Sequence, residues 1–209
     1  MMAGGLASTW DPVQKSSFIT LDSTKLVATW NSGNPSPASI NIRSTKAKNS
    51  KFYCEVVWHA IGTLTSSSVI TCGVCTSGYG ITGDHWLGEA GSVSGGFWND
   101  TNYDWAGSAF AYSGTGWSSQ ADPTVIGIAC DPVAGKIWGR TAADSIWNNS
   151  ASANPVTAAG ALLCPAASTL YIAACFYTTG NAPFGQWTLR RRASEFTLGV
   201  QPAGFPAFG

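Results

Sequence analysis

The sequence predicts an all-β fold with little or no helix, in which many short strands form a sandwich or barrel. Apolar residues alternate with a period of two in several segments, and loops rich in Gly, Ser, Asn and Pro separate these segments. No stretch of ten or more residues carries a convincing helical stripe, because Pro155 and Gly160 interrupt the Ala-rich segment 151–161. A chain of 209 residues suits one domain of this class.

The clearest strand is predicted at residues 51–60. Its even-numbered positions from Phe52 to Ala60 are all apolar, whereas the odd-numbered positions include Lys51, Glu55 and His59. A period of two with one wholly apolar face predicts a strand that is buried on one side only.

Further strands follow from the same argument. Residues 69–75 form a small-residue strand, residues 124–131 a fully buried one, and residues 170–177 a strand with two apolar faces. Shorter strands are predicted at 18–21, 25–30, 40–43, 136–138 and 186–190. We expect the buried centre to include Phe52, Val56, Trp58, Val125, Ile126, Ile128, Leu170, Ile172 and Phe176.

The composition narrows the classes of partner. Charged residues make up 11% of the chain, less than half of the roughly 25% in an average domain, and the formal net charge is zero. We therefore expect no nucleic-acid partner, and no membrane span because no apolar run approaches about 18 residues. Low charge with many Ser, Thr, Asn and Gly residues is common in extracellular and virion-surface proteins and in subunits of assemblies.

The six cysteines are expected to be mostly free, buried thiols, because most of them lie inside apolar runs. Their even number leaves disulfides open as the alternative. The pair in Cys72-Gly73-Val74-Cys75 lacks the second ligand pair of a zinc site, and strand positions three apart face opposite sides. No metal and no cofactor are expected.

Catalytic signals are sparse. The only histidines are His59 and His85, and no Gly-x-Ser-x-Gly motif accompanies them. Asp100 and Asp104 lie together in a Gly- and Asn-rich segment, which holds paired carboxylates of a glycosidase poorly. We therefore predict no catalytic residues, with a carbohydrate-active enzyme as the alternative.

Aromatic residues crowd the segment 86–117, which we interpret as loops, and alternate there with Gly, Ser, Asn and Asp. Large rings beside short polar side chains are typical of binding surfaces, although some of these rings can instead fill the core. The predicted binding residues are Trp86, Trp98, Asp100, Tyr103, Asp104, Trp105 and Trp117.

Several motifs resemble the SPRY family over residues 50–180. They are Tyr53-Cys54-Glu55-Val56, Ile70-Thr71-Cys72-Gly73-Val74, the segment 122–131 and Leu162-Leu163-Cys164-Pro165-Ala166. Two features depart from the family: residues 139–143 stand where it has an Asn-Gly hairpin, and residues 176–178 where it has Asn-Phe-Gly. The resemblance implies a bent, antiparallel two-sheet sandwich of the concanavalin-like kind that binds partners through its loops.

The two ends resemble SPRY-like proteins of bacteriophages. Trp10-Asp11-Pro12 resembles their opening, and Phe196 followed by Pro202-Ala203-Gly204-Phe205 resembles their ending. We expect an N-terminal arm at 1–10 and a single SPRY-like domain with a C-terminal extension at 11–209. No signal peptide is expected, because the first nine residues lack a basic start and a long apolar run.

These expectations define a functional hypothesis. The chain is expected to be a non-enzymatic bacteriophage virion structural protein of the tail-fibre or receptor-binding type. A head-decoration, collar or fibre subunit and an intracellular SPRY interaction adaptor are the alternatives. Expected partners are other virion proteins or a host cell-surface glycan or protein, within a homo-oligomer or a larger assembly.

Overall fold

The computed structural model describes residues 7–30, 38–61, 69–81, 87, 94–98, 101–103, 109–111, 122–141, 146–166, 169–178 and 184–209. Within these ranges, fourteen β-strands form two antiparallel sheets of seven strands each. The same ranges contain no α-helix and two short 3₁₀ turns, at Trp147–Asn149 and Ala193–Glu195. The predicted all-β sandwich of two sheets is confirmed.

The strands are, in chain order, β1 Trp10–Lys15, β2 Ile19–Leu21, β3 Val27–Trp30, β4 Ala38–Lys48, β5 Phe52–Ile61, β6 Val69–Cys75, β7 Ser94–Trp98, β8 Thr101–Tyr103, β9 Ala109–Ala111, β10 Thr124–Asp131, β11 Lys136–Thr141, β12 Leu162–Leu163, β13 Leu170–Thr178 and β14 Phe184–Arg190. Sheet A has the order β1-β4-β13-β6-β7-β8-β9. Sheet B has the order β12-β11-β10-β5-β14-β3-β2.

The main core lies between the two sheets and contains alternate residues of their central strands. Sheet B contributes Phe52, Cys54, Val56, Trp58, Ile126 and Ile128, and sheet A contributes Ile70, Cys72, Val74, Ile172, Ala174 and Phe176. Eight of the nine predicted core residues are buried. Val125 was expected in this set but is only half-buried, because it lies on the other face of β10 from Ile126.

The outer face of sheet B is also buried in part, which corrects the prediction that β5 is covered on one side only. Residues 191–209, here called the C-terminal strap, cross this face after β14. Phe205 of the strap packs edge-on against Trp138 in a second cluster that also contains Tyr53. The strap therefore gives β5 a second apolar layer that its own alternation does not predict.

The end of the strap joins sheet B beside β5. Tyr53 donates its backbone N–H to the Pro206 carbonyl at 2.8 Å and accepts from the Phe208 N–H at 2.9 Å. The ring of Phe208 reaches the main core and lies 4.9 Å from that of Phe52. Residues 205–208 thus place one aromatic ring on each side of the sheet.

Trp10, the last residue of the expected N-terminal arm, is fully buried, and its indole N–H donates to the Trp187 carbonyl at 3.1 Å. Two other local expectations are corrected. The hairpin turn after β10 consists of residues 132–135, and not of residues 139–143 as expected. Residues 139–141 belong to β11. The segment 86–117, expected as loops, contains the short strands β7, β8 and β9.

Candidate functional site

The predicted binding residues are only partly placed by the structure. Trp98 ends β7, where it is paired with Thr71, and Tyr103 ends β8, where it is paired with Gly96. Trp86, Asp100, Asp104, Trp105 and Trp117 lie outside the described residues. Two of the seven predicted positions therefore lie on neighbouring strands of sheet A, and the assignment as a whole stays a prediction.

Strands of both sheets terminate together at one end of the sandwich. Phe184 pairs with Ile61 in sheet B, while in sheet A Thr178 pairs with Ala38 and Tyr177 pairs with Val69. The ring centroids of Trp30 in sheet B and Phe176 in sheet A lie 4.4 Å apart, so the strand termini of the two sheets are adjacent. We call this region the loop end and define it by Trp30, Ala38, Ile61, Val69, Trp98, Thr178 and Phe184.

A close-packed group of aromatic rings lies in the core next to the loop end. The ring of Trp58 stacks on Phe176 at 5.9 Å and meets Trp187 at 4.8 Å. Gly185 makes this packing possible, because a Cβ on Gly185 would lie 1.7 Å from the Trp58 ring. The strands that end here are therefore held by a rigid core and not by loop contacts alone.

An exposed histidine and an aspartate meet beside the loop end. His59 Nδ1 lies 2.9 Å from Asp122 Oδ2, and Asp122 Oδ1 accepts the backbone N–H of Ala60 at 3.0 Å. The two residues are 63 positions apart and are joined by the pairing of β5 with β10. No local motif in the sequence links His59 to Asp122, so this pair could not be predicted from the sequence.

A polar row continues from this pair across the outer face of sheet B. Gln186 pairs with His59 on one side and with Thr29 on the other, and its amide donates to the Thr29 hydroxyl at 3.1 Å. Each of these polar side chains is oriented by a neighbour. Such side chains can bind a ligand by hydrogen bonds at little cost in ordering.

The SPRY domain of human HERC1 superposes with a TM-score of 0.52 at 12% identity, over 87% of this chain and 96% of that domain. The chain has a SPRY-like fold. The Emp46p carbohydrate recognition domain in its potassium-bound form has a TM-score of 0.45 at 9% identity, over 88% of each chain. The alginate lyase A1-II' has a TM-score of 0.43 at 14% identity, over 83% of this chain and 81% of that one. These two likenesses are weaker, and they indicate neither a ligand nor an activity for this chain.

At the level of sequence, the comparisons found no matching family model and no matching curated protein.

The motifs that resemble the SPRY family build the scaffold of this SPRY-like fold. Gly127, in the motif at 122–131, pairs with Glu55, and a Cβ there would lie 2.6 Å from the Tyr53 hydroxyl. The missing side chain leaves room for the Tyr53 ring and for Leu198 of the strap. Gly127 and Tyr53 of these motifs therefore serve the packing of the scaffold.

Cys72 and Cys75 lie on opposite faces of β6, one in the main core and the other in a cluster with Tyr79 and Leu87. Across the described ranges, no group of three or more His, Cys, Asp or Glu residues is placed to hold a metal ion. No helix in the described part of the chain is long and apolar enough to cross a membrane.

Proposed function

We propose that this chain is a non-enzymatic bacteriophage virion structural protein of the tail-fibre or receptor-binding type, with its ligand at the loop end. The observation that carries this proposal is the convergence of strand termini from both sheets on one rigid end of the sandwich. Segments held out by a rigid scaffold are where binding proteins usually place their specificity.

The side chains beside the loop end suit recognition. Ile61 is 44% exposed although it is a large apolar residue, and the polar pair of His59 and Asp122 lies on the same strand end. Trp98, one of the predicted binding residues, ends its strand here as well. An apolar contact surrounded by oriented polar groups is the usual make-up of a protein or glycan interface.

The virion assignment is supported by the composition and by the two ends of the chain. A charged fraction of 11% favours a surface that is covered by neighbours or by polar uncharged residues. The phage-like ending corresponds to the strap, whose Phe205 and Phe208 are both buried. The proposed partners are a host cell-surface glycan or protein and neighbouring virion proteins, in a homo-oligomer or a larger assembly.

Mass spectrometry of purified phage particles tests this assignment. We expect the chain in the particles at a fixed copy number, and antibody labelling in electron microscopy should place it on the tail. Labelling of the capsid would support a head-decoration subunit instead. Absence from particles that are otherwise complete would contradict the virion assignment.

A further inference from the structure

We propose that Cys130 and Cys164 are a redox-sensitive pair, which forms a disulfide across the edge of sheet B when the protein meets a small disulfide oxidant. This device is separate from ligand binding at the loop end. It lies near the end of β10 that is remote from the loop end, beside β12, which is the two-residue edge strand of sheet B.

The two thiols are already in contact. The Sγ atoms of Cys130 and Cys164 lie 3.9 Å apart, and both side chains are buried in the main core. Disulfide formation requires a sulfur separation of about 2.05 Å, so the atoms must approach by roughly 2 Å. Contact between the thiols shows that their side chains point towards each other.

The backbone around Cys164 is positioned to allow this approach. Cys164 follows the two-residue strand β12, and its N–H donates to the Gly135 carbonyl in the β10–β11 turn at 2.9 Å. Among the described residues, β12 is an edge strand that pairs with β11 through Leu162 and Leu163. A short edge strand adjusts and opens more readily than the central strands do.

All six cysteines are free and buried in this structure. Burial raises the pKa of the Cys130 thiol, and thiolate is the reactive form in disulfide exchange. Reaction therefore needs a transient opening at β12 that exposes one of the thiols. The pair is protected in the closed state and reactive in the open one.

The chemistry is a two-step exchange. One cysteine thiolate attacks a sulfur of oxidised glutathione, forming a mixed disulfide and releasing one glutathione thiol. The second cysteine then attacks the protein sulfur of this mixed disulfide and releases the second glutathione thiol. In sum, two protein thiols become one disulfide, and one oxidised glutathione becomes two reduced molecules.

The product would close a loop between positions that are 34 residues apart. This loop contains β11, the turn Trp147–Asn149 and β12. Joining β10 covalently to the segment after β12 prevents that edge from opening independently. The oxidised protein is therefore expected to be more resistant to heat than the reduced protein.

The test is incubation of the full chain with oxidised glutathione at about pH 8, in parallel with reduced glutathione. We expect free thiols, counted in denaturant, to fall from six to four. Peptide mapping should find Cys130 linked to Cys164, and the melting temperature should rise by about 5–15 °C. Retention of all six thiols after incubation with oxidised glutathione, or a disulfide between other cysteines, would overturn the proposal.

Two variants sharpen this experiment. Cys164→Ala should keep five thiols and show no rise in melting temperature, whereas Cys54→Ala should still lose two thiols and gain stability. A disulfide between Cys54 and Cys130 in the Cys164→Ala variant would show that pairing lacks the proposed specificity. Peptide mapping of the parent protein decides the main question even if a variant fails to fold.

Discussion

The carboxylate of Glu55 accepts a hydrogen bond from the backbone N–H of Leu198 at 2.9 Å, although the two residues are 143 positions apart. Its second oxygen accepts the N–H of Thr197 at 2.8 Å and lies 3.4 Å from the guanidinium of Arg190. The Tyr53 hydroxyl also donates to this carboxylate, at 3.1 Å. A fully buried acidic residue in β5 thus holds the C-terminal strap against sheet B.

The first prediction concerns this anchor. Glu55→Gln replaces the carboxylate with a neutral amide, in which an NH2 donor takes the place of one acceptor oxygen. The amide therefore cannot accept from all of the same donors. We expect the free energy of unfolding to fall by about 2–4 kcal/mol in urea denaturation. Asp22→Asn is the control, since Asp22 also accepts two backbone N–H groups but is exposed. Equal losses in the two variants would mean that burial of Glu55 contributes little.

The second prediction separates the buried and exposed parts of the strap. Phe208→Ala removes a ring from the main core and should lower the free energy of unfolding by about 3–5 kcal/mol. Val200→Ala changes a residue of the same strap that is 89% exposed, so it should shift stability by less than about 0.5 kcal/mol. A small effect of Phe208→Ala would show that the strap lies on the sandwich without completing its core.

The third prediction tests the two faces of β10. Ile126→Ala should cost about 2–5 kcal/mol, as should Phe176→Ala on the opposite sheet, because both side chains fill the main core. Val125→Ala, on the half-buried face of the same strand, should cost clearly less. Thermal melts of the three variants measure this difference. If all three melt with the parent, the assignment of the core is wrong.

The central strands could be predicted because their apolar periodicity is local. Strands β6 and β10 have the predicted bounds, and β5 and β13 differ from them by one residue at one or both ends. Strand β4 extends to Lys48, well past the predicted end at residue 43. The prediction ended too early because the second half of this strand is polar and pairs with β13 across a bulge. There, the Ser44 hydroxyl accepts the Ile172 N–H at 3.0 Å.

What the sequence did not predict depends on contacts between distant residues. Glu55 is buried because the strap returns to it 142 residues later, and nothing in its own strand indicates this. The pair of His59 and Asp122 depends in the same way on the pairing of β5 with β10. The Arg190-Arg191-Arg192 run looks like a basic patch, yet Arg190 contacts Glu55 and Arg191 is buried.

The fourth prediction concerns alkaline pH. Burial raises the pKa of Cys54, Cys72 and Cys130 above the ordinary thiol value, and that of Cys75 to about 12. Burial, together with the charge of Glu55, also raises the pKa of Tyr53. The unfolded chain therefore loses these protons at lower pH than the folded chain. The stabilising contribution is complete below about pH 9 and decreases as pH rises towards 12.

Urea denaturation at pH 7, 9 and 10.5, with a phosphine reductant present, measures this effect. Each buried thiol that ionises only on unfolding should steepen the loss by up to about 1.4 kcal/mol per pH unit. Cys75→Ala should make the loss shallower than in the parent. Constant stability from pH 7 to 10.5 would mean that the thiols are not protected in the folded protein.

The fifth prediction tests the central claim, that the chain binds its partner through the predicted residues of the segment 86–117, of which Trp98 lies at the loop end. Trp98, Tyr103 and Trp105 are changed together to Ala, and Val133→Ala, in the exposed turn at the other end of β10, is the control. Binding of fluorescently labelled protein to cells of the host strain is compared with the parent by flow cytometry, alongside thermal melts. We expect the triple variant to melt close to the parent and to lose most of its binding, whereas the control binds normally. A triple variant that folds and binds like the parent would contradict recognition through these residues.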